Sequence, residues 1–180
     1  MYYKKYVGKN IYLSPMCNED YKIFTKWVND ETLASGVGNF AKTITEDGER
    51  TWLDAMCKSG SHTYSIIRIN DNALLGNYSL EIRNNVANRY HVGGLIGEIN
   101  ERNKGYGTEA LKLITKYAFD VLNAQSVFSG IYSFNQASLK SAIKAGYKIA
   151  GKYRNAYYYN GTYHDEFLIE ITREDFYKEN

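Results

Sequence analysis

The chain has 180 residues, 44% hydrophobic and 23% charged, with 22 basic and 20 acidic side chains and a net charge of +2. That length suits one compact domain, so 1–180 is read as a single unit, and 15% aromatics with little net charge exclude intrinsic disorder. A near-neutral balance lacks the basic field of a nucleic-acid binder, and no apolar run nears the ~18–20 residues that cross a bilayer.

The first residues, MYYKKYVGKNIYL, carry lysines with no apolar stretch behind them, so no secretory signal is expected. Cys17 and Cys57 form neither a CxxC nor a disulfide framework, which fits a reducing cytoplasm. Both fall on predicted helices, where a buried, inert thiol is the default. His62, His91 and His164 share no ligand spacing with each other or with the cysteines, so no metal is expected. The 18 tyrosines, with a run at 157–159, suit half-buried strand surfaces better than a substrate rim.

Pro15 is the single proline, and no linker, repeat or low-complexity tract divides the chain. A short strand over Asn10–Ser14 opens the fold. Asn18, followed by Glu19 and Asp20, reads as the N-cap of a helix presenting Tyr21, Phe24, Trp27 and Val28. Residues 30–44 are polar and glycine-bearing, hence loop. Thr45 starts a second helix striped by Trp52, Leu53 and Met56 and ending near Gly60. The period then changes to two: His62–Ile69 and Ala73–Arg83 read as a hairpin, with a further strand over 89–97. Gly105–Leu122 is the most strongly periodic helix of the chain. Val127–Tyr132 is a strand and Ala137–Ala145 a helix. Two last strands, Tyr147–Arg154 and Tyr163–Ile171, flank the turn Asn160-Gly161. The pattern predicts an α/β (α+β) domain: one mixed sheet with helices on both faces.

The stretch Arg102-Asn103-Lys104-Gly105-Tyr106-Gly107-Thr108 sits where a strand passes into the long helix. Free N–H groups at a helix N-terminus receive phosphate, glycines let the backbone close on an anion, and Arg102 and Lys104 add charge. Such a segment can cradle a pyrophosphate. Gly105, Gly107 and Ala110 also spell GxGxxA, but a meander precedes them and no acid ends the strand 127–132, unlike a dinucleotide fold. No GxxxxGK[ST] is present. A plain glycine-softened turn with no ligand remains the competing reading.

The order of motifs around this segment resembles the GNAT acetyltransferase superfamily. Arg102-Asn103-Lys104-Gly105-Tyr106-Gly107 matches its [Q/R]-x-x-G-x-[G/A] signature. Gly105-Tyr106-Gly107-Thr108-Glu109-Ala110 with Tyr117-Ala118-Phe119 and Leu122-Asn123 is similar to the RimJ/RimL-type branch. So are Asn135-x-x-Ser138 with Lys144-x-Gly146-Tyr147, and the closing Gly151-x-Tyr153-Arg154 with Asn160-Gly161-x-Tyr163-x-Asp165. The likeness is strongest over 93–165 and spans 10–172 in architecture.

That resemblance implies a mostly antiparallel sheet in which strands 89–97 and 127–132 splay apart, and transfer of an acetyl group from acetyl-CoA to a primary amine. It implies that Leu95, Ile96 and Gly97 meet the pantetheine through their backbone, that 102–108 hold the pyrophosphate, and that Asn135 touches the pantetheine or the proton route. Gly93-Gly94 and Gly97 within a strand independently predict a bulge or close backbone approach. Direct attack needs a proton acceptor, a backbone N–H near 95–97 for the developing oxyanion, and a hydrogen-bond donor for the leaving thiolate. Where many relatives carry an acid tyrosine this chain has Ala142, so Ser138 is the candidate donor; a first-turn helix serine is the plain alternative. Tyr147 reads as core. For the base, Glu81 reads as a solvated strand residue and His91 as a strand hydrogen-bonder, and the position stays unassigned. The acceptor, a small-molecule or peptide amine, is expected near 30–44, Glu46, Asp47 and Glu49, and the hairpin 157–163. A homodimer is expected through aromatic edges of the last strands. Ala142 and the missing base leave open a non-catalytic acyl-CoA-binding sensor or structural module.

Overall fold

The computed structural model describes residues 1–38 and 41–179. Its strands are β1 (Tyr6–Val7), β2 (Ile11–Pro15), β3 (His62–Arg68), β4 (Leu74–Asn84), β5 (Arg89–Ile96), β6 (Ser126–Tyr132), β7 (Lys148–Tyr159) and β8 (Thr162–Thr172). Its helices are α1 (Tyr21–Val28), α2 (Glu31–Gly36), α3 (Glu46–Ser59), α4 (Tyr106–Asp120), α5 (Gln136–Lys144) and α6 (Arg173–Glu179). The strands form one sheet in the order β1-β2-β3-β4-β5-β6-β8-β7. Every pair is antiparallel except β5–β6.

Strand alternation divides the interior into two cores. Ile11 and Leu13 point to the side covered by α4, whose Ala110, Leu111, Ile114 and Ala118 are buried there together with Val127, Ile169 and Phe176. Tyr12, Ile67 and Leu74 point the other way, onto Phe24 and Trp27 of α1, Leu33 of α2 and Leu53 of α3. Helices therefore cover both faces, as the sequence pattern predicts.

Local differences from that reading have identifiable causes. Asn18 does not cap α1: residues 18–20 form a 3-10 turn, and Asn18 Nδ2 donates to Asp54 Oδ1 of α3 at 2.9 Å. The expected loop 30–44 contains α2, capped where Leu33 N–H donates to Asp30 Oδ1 at 3.0 Å; Asn39 and Phe40 of that loop lie outside the described residues. Helix α3 starts at Thr45 and stops at a left-handed Gly60, but it buries Glu49 and Leu53 while Trp52 is exposed. Helix α6 follows a reciprocal cap, in which Asp175 N–H donates to Thr172 Oγ1 and the Thr172 hydroxyl donates to Asp175 Oδ2. The last hairpin turns on Asn160 and Gly161, both at positive φ, as a two-residue primed turn requires. Cys57 is exposed and Cys17 half-buried, so neither is the core thiol expected, and burial raises the pKa of both. Among the described residues no helix is long and apolar enough to cross a membrane.

Candidate active site

The parallel pairing of β5 with β6 runs only from Arg89/Ser126 to His91/Phe128. Beyond it β5 stays with β4 as far as Ile96, while β6 follows β8 as far as Tyr132. The two strands diverge, and their facing edges are left without a sheet partner over 92–96 and 129–132.

The hydrogen-bond direction along β5 decides what faces this gap. Gly97 N–H donates to Leu75 O of β4 at 2.8 Å. In an antiparallel ladder the inward residues alternate, so Leu95 also turns to β4, and Gly94 and Ile96 turn their N–H and C=O to the gap. The guanidinium of Arg102 reaches the same side, its Nε donating to Ile96 O at 3.2 Å. The expected trio is thus divided: Ile96 presents its backbone to the gap, while Leu95 packs its side chain against the α1 core. Gly97 is a glycine for another reason, since a Cβ there would lie inside the Trp27 indole. Trp27 is fixed in turn by its Nε1, which donates to Glu98 Oε1 at 3.1 Å.

The gap leads toward the first turn of α4. Asn103 (φ 63°) and Gly105 (φ 91°) take left-handed backbone, the alternation that turns successive N–H groups to one side. Gly105 occupies the N-cap position, no side chain caps α4, and a Cβ at Gly105 would meet nothing within 4 Å. The first N–H groups of α4 therefore end in an open cradle, with the positive end of a 15-residue helix behind them. Lys104 contributes less free charge than expected, because its Nζ pairs with Glu101 at 3.0 Å and Glu101 also binds Arg68 at 2.7 Å. Tyr106 packs on the larger core, and Thr108 Oγ1 lies 2.9 Å from Ser141 Oγ, joining α4 to α5. Glu109 faces away, its carboxylate accepting from Asn10 N–H at 2.8 Å and Asn10 Nδ2 at 2.9 Å.

Across the gap, Asn135 caps α5: Ser138 N–H donates to Asn135 Oδ1 at 3.2 Å. The Ser138 hydroxyl makes no hydrogen bond among the described residues and is half-buried. Ala142, one turn further on, is 1% exposed and belongs to the core. Tyr147 is also core, its hydroxyl 2.7 Å from Thr115 Oγ1, with burial raising its pKa. Glu81 is exposed and pairs with Arg83 at 2.8 Å. His91 lies half-buried against Phe128 where the strands part, and burial, then the nearby Arg83, lower its pKa. Of the expected acceptor wall, Glu46 and Asp47 are exposed, while Glu49 is buried and its carboxyl pKa raised by that burial. A Cβ on Gly36 or Gly38 would come within 3.0 Å of Asn135 Nδ2 and Tyr132 Oη respectively, so the α2 segment closes on the end of β6.

Gly130 and Glu166, both at this end, were not singled out from sequence. Glu166 of β8 stands opposite Tyr132, and its carboxylate lies over Gly130, where a Cβ would overlap it. The signal was a strand glycine facing an alternating Glu166, Leu168, Glu170 series, legible only once β6 and β8 are paired.

An open strand pair leading to an uncapped helix N-terminus can receive an extended ligand that carries a phosphate group at its far end. The acetyltransferase (GNAT) domain family matches residues 10–148. The chain belongs to that family: it is an N-acetyltransferase, with acetyl-CoA as its cosubstrate. It is similar to the SPbeta prophage-derived uncharacterized N-acetyltransferase YokL of Bacillus subtilis (strain 168), 23% identical over 173 residues, covering 95% of this chain and 94% of that protein. The fold is shared with a GNAT-family acetyltransferase from Bacillus anthracis (TM-score 0.82, 18% identity, 97% of this chain and 99% of that one). It is shared too with a spermidine N-acetyltransferase from Vibrio cholerae solved with CoA and spermine (TM-score 0.82, 15% identity, 94% and 99%).

Proposed function

We propose that the enzyme transfers acetyl directly from acetyl-CoA to a primary amine across the β5–β6 gap, as a RimJ/RimL-like, single-domain cytoplasmic protein. The observation that carries this reading is the gap itself, floored by backbone that has no strand partner and ending at the open first turn of α4. Ile96, with Gly94, pairs with the amides of the pantetheine arm as an added strand would, and an N–H here faces the developing oxyanion. The N–H groups of Tyr106, Gly107 and Thr108, the loop Asn103–Gly105 and the charge of Arg102 hold the pyrophosphate. Acetyl-CoA supplies the activated carbonyl. Asn135 orders the start of α5, and the unengaged Ser138 hydroxyl donates to the departing sulfur.

The acceptor comes from the primary amines on which such enzymes act: protein N-termini, polyamines, amino sugars or antibiotics. The polyamine of the Vibrio cholerae relative makes spermidine a first choice for assay. Release of free thiol from acetyl-CoA, followed across such a panel, tests the reading. Thiol release with at least one amine is expected; tight acetyl-CoA binding with no acceptor-dependent release would instead mark a sensor.

A further inference from the structure

On the face of the sheet that carries α1 to α3, Phe128, Gly130 and Tyr132 of β6 alternate with the core residues Val127 and Ile131. Their β8 partners are Glu170, Leu168 and Glu166. Glu170 is neutralised by Arg89 at 2.9 Å. Glu166 differs, for it forms no ion pair or hydrogen bond among the described residues and yet is half-buried. Its side chain leans along the sheet onto Gly130, which borders the gap. An unpaired carboxylate held partly out of water costs stability unless a ligand cation completes it.

Beside it runs a continuous aromatic row. Tyr132 stacks on Tyr157 at 4.1 Å between centroids, Tyr157 leads to Phe134 at 6.2 Å, and Phe134 meets Tyr159 at 5.0 Å and His164 at 4.8 Å. Such faces attract an organic cation and shelter its apolar stem. The row starts at the carboxylate and extends toward the tip of the β7–β8 hairpin.

We infer that Glu166 is the acceptor-side catalytic residue, anchoring the incoming ammonium and taking its proton, and that the Tyr132–Tyr157–Phe134 row holds the body of that amine. This rests on the acetyl-transfer reading and deepens it. The ammonium gives one proton to the Glu166 carboxylate. The freed nitrogen pair forms the C–N bond while the C–S bond breaks with its electrons on sulfur. The second nitrogen proton ends on that sulfur by way of Ser138 or water, and Glu166 returns its own proton to solvent. Burial raises the Glu166 pKa, which makes it a better base than a free carboxylate. Charged and titratable neighbours on this face are Tyr132, Tyr153, Tyr157, Tyr159, His164 and the Glu170–Arg89 pair, with His91 on β5 beside Phe128.

Three variants test it on the full-length enzyme: Glu166→Gln, Gly130→Ala and His91→Gln. The probes are acetyl-CoA with spermidine, tyramine, an aminoglycoside and a peptide with a free N-terminus. Gly130 has no left-handed φ, so alanine suits its backbone, and the added methyl overlaps the Glu166 carboxylate and crowds its Cγ, so that this side chain must swing away. Glu166→Gln is expected to lower kcat/KM for the best probe by roughly 10²–10⁴-fold at pH 7, recovering as pH rises toward the amine pKa. Gly130→Ala follows it in part, and both keep wild-type acetyl-CoA affinity by calorimetry. Unchanged kcat/KM and pH profile in Glu166→Gln, or loss confined to His91→Gln, overturns the assignment. A wild-type enzyme that binds acetyl-CoA but acetylates none of the probes, or that does not bind acetyl-CoA, refutes the acetyl-transfer reading, whereas a probe acetylated as fast by Glu166→Gln as by the wild type overturns only the acceptor-side assignment.

Discussion

Gly107→Ala separates the stability of α4 from the use of its first turn. Gly107 has ordinary helical handedness, and a Cβ there would lie 3.4 Å from Ile96 Cγ1 and 3.7 Å from Ser141 Oγ. Those are van der Waals contacts that the fold accepts. Replacing a helical glycine by alanine contributes up to about 1 kcal/mol, which raises Tm by about 2–4 °C for a chain of this size. The same methyl projects into the space between the β5 end, α4 and α5, where an anion must approach the N–H groups. Loss of one charge-assisted hydrogen bond costs about 1.5–3 kcal/mol, a rise in Kd of roughly ten- to a hundredfold. Thermal unfolding reads the first effect and calorimetry with acetyl-CoA the second. A variant with raised Tm and unchanged Kd would refute the placement of the pyrophosphate.

Ser138→Ala is expected to lower turnover by roughly one to three decades with little change in acetyl-CoA affinity, since it removes only a hydroxyl that makes no hydrogen bond among the described residues. Full turnover in that variant would assign the proton to solvent. His62 and His91 both have lowered pKa through burial, so folding favours their neutral forms. Their contribution is present above the unfolded pKa of about 6.5 and is lost as pH falls through the folded values, so Tm falls on acidification below that point and His62→Gln/His91→Gln flattens the decline. A homodimer, with twice the 20.6 kDa chain mass, is expected in light scattering at tens of micromolar (roughly where weak dimers form). Its basis is the long edge strand β7, with Tyr153, Tyr158 and Tyr163 of the last hairpin exposed; a monomer mass excludes it.

Much of the fold was legible because strong periodicity coincided with local punctuation. The stripe of α4, the Asn160-Gly161 turn and the Thr45 cap each have one dominant local cause. Helix α2 was hidden because its six residues are too short for a period, although Asp30 and Leu33 carry its cap. Helix α6 was hidden likewise, and β1 exists only by pairing with β2. The phosphate-binding segment was readable from glycines and charge, but its electrostatics were not: Lys104 is drawn off by Glu101, three residues earlier in a turn that sequence spacing did not reveal. Gly97 carried a true signal of close approach, though the partner is Trp27, 70 residues away. Ala142 marks a position closed by packing, so a tyrosine placed there would overfill the core rather than restore a donor. Glu166 depended on strand order, since β8 inserts between β6 and β7.

Amide hydrogen exchange by NMR, with and without saturating acetyl-CoA, tests most directly whether the gap between β5 and β6 receives the cosubstrate as an added strand. The N–H groups of Gly94 and Ile96 point into the gap, while those of Leu95 and Gly97 are directed to β4, with Gly97 bonded to Leu75. Acetyl-CoA is predicted to slow exchange at Gly94 or Ile96 and at Tyr106–Thr108, leaving Leu95 and Gly97 nearly unchanged. Binding without new protection at those positions would contradict the account.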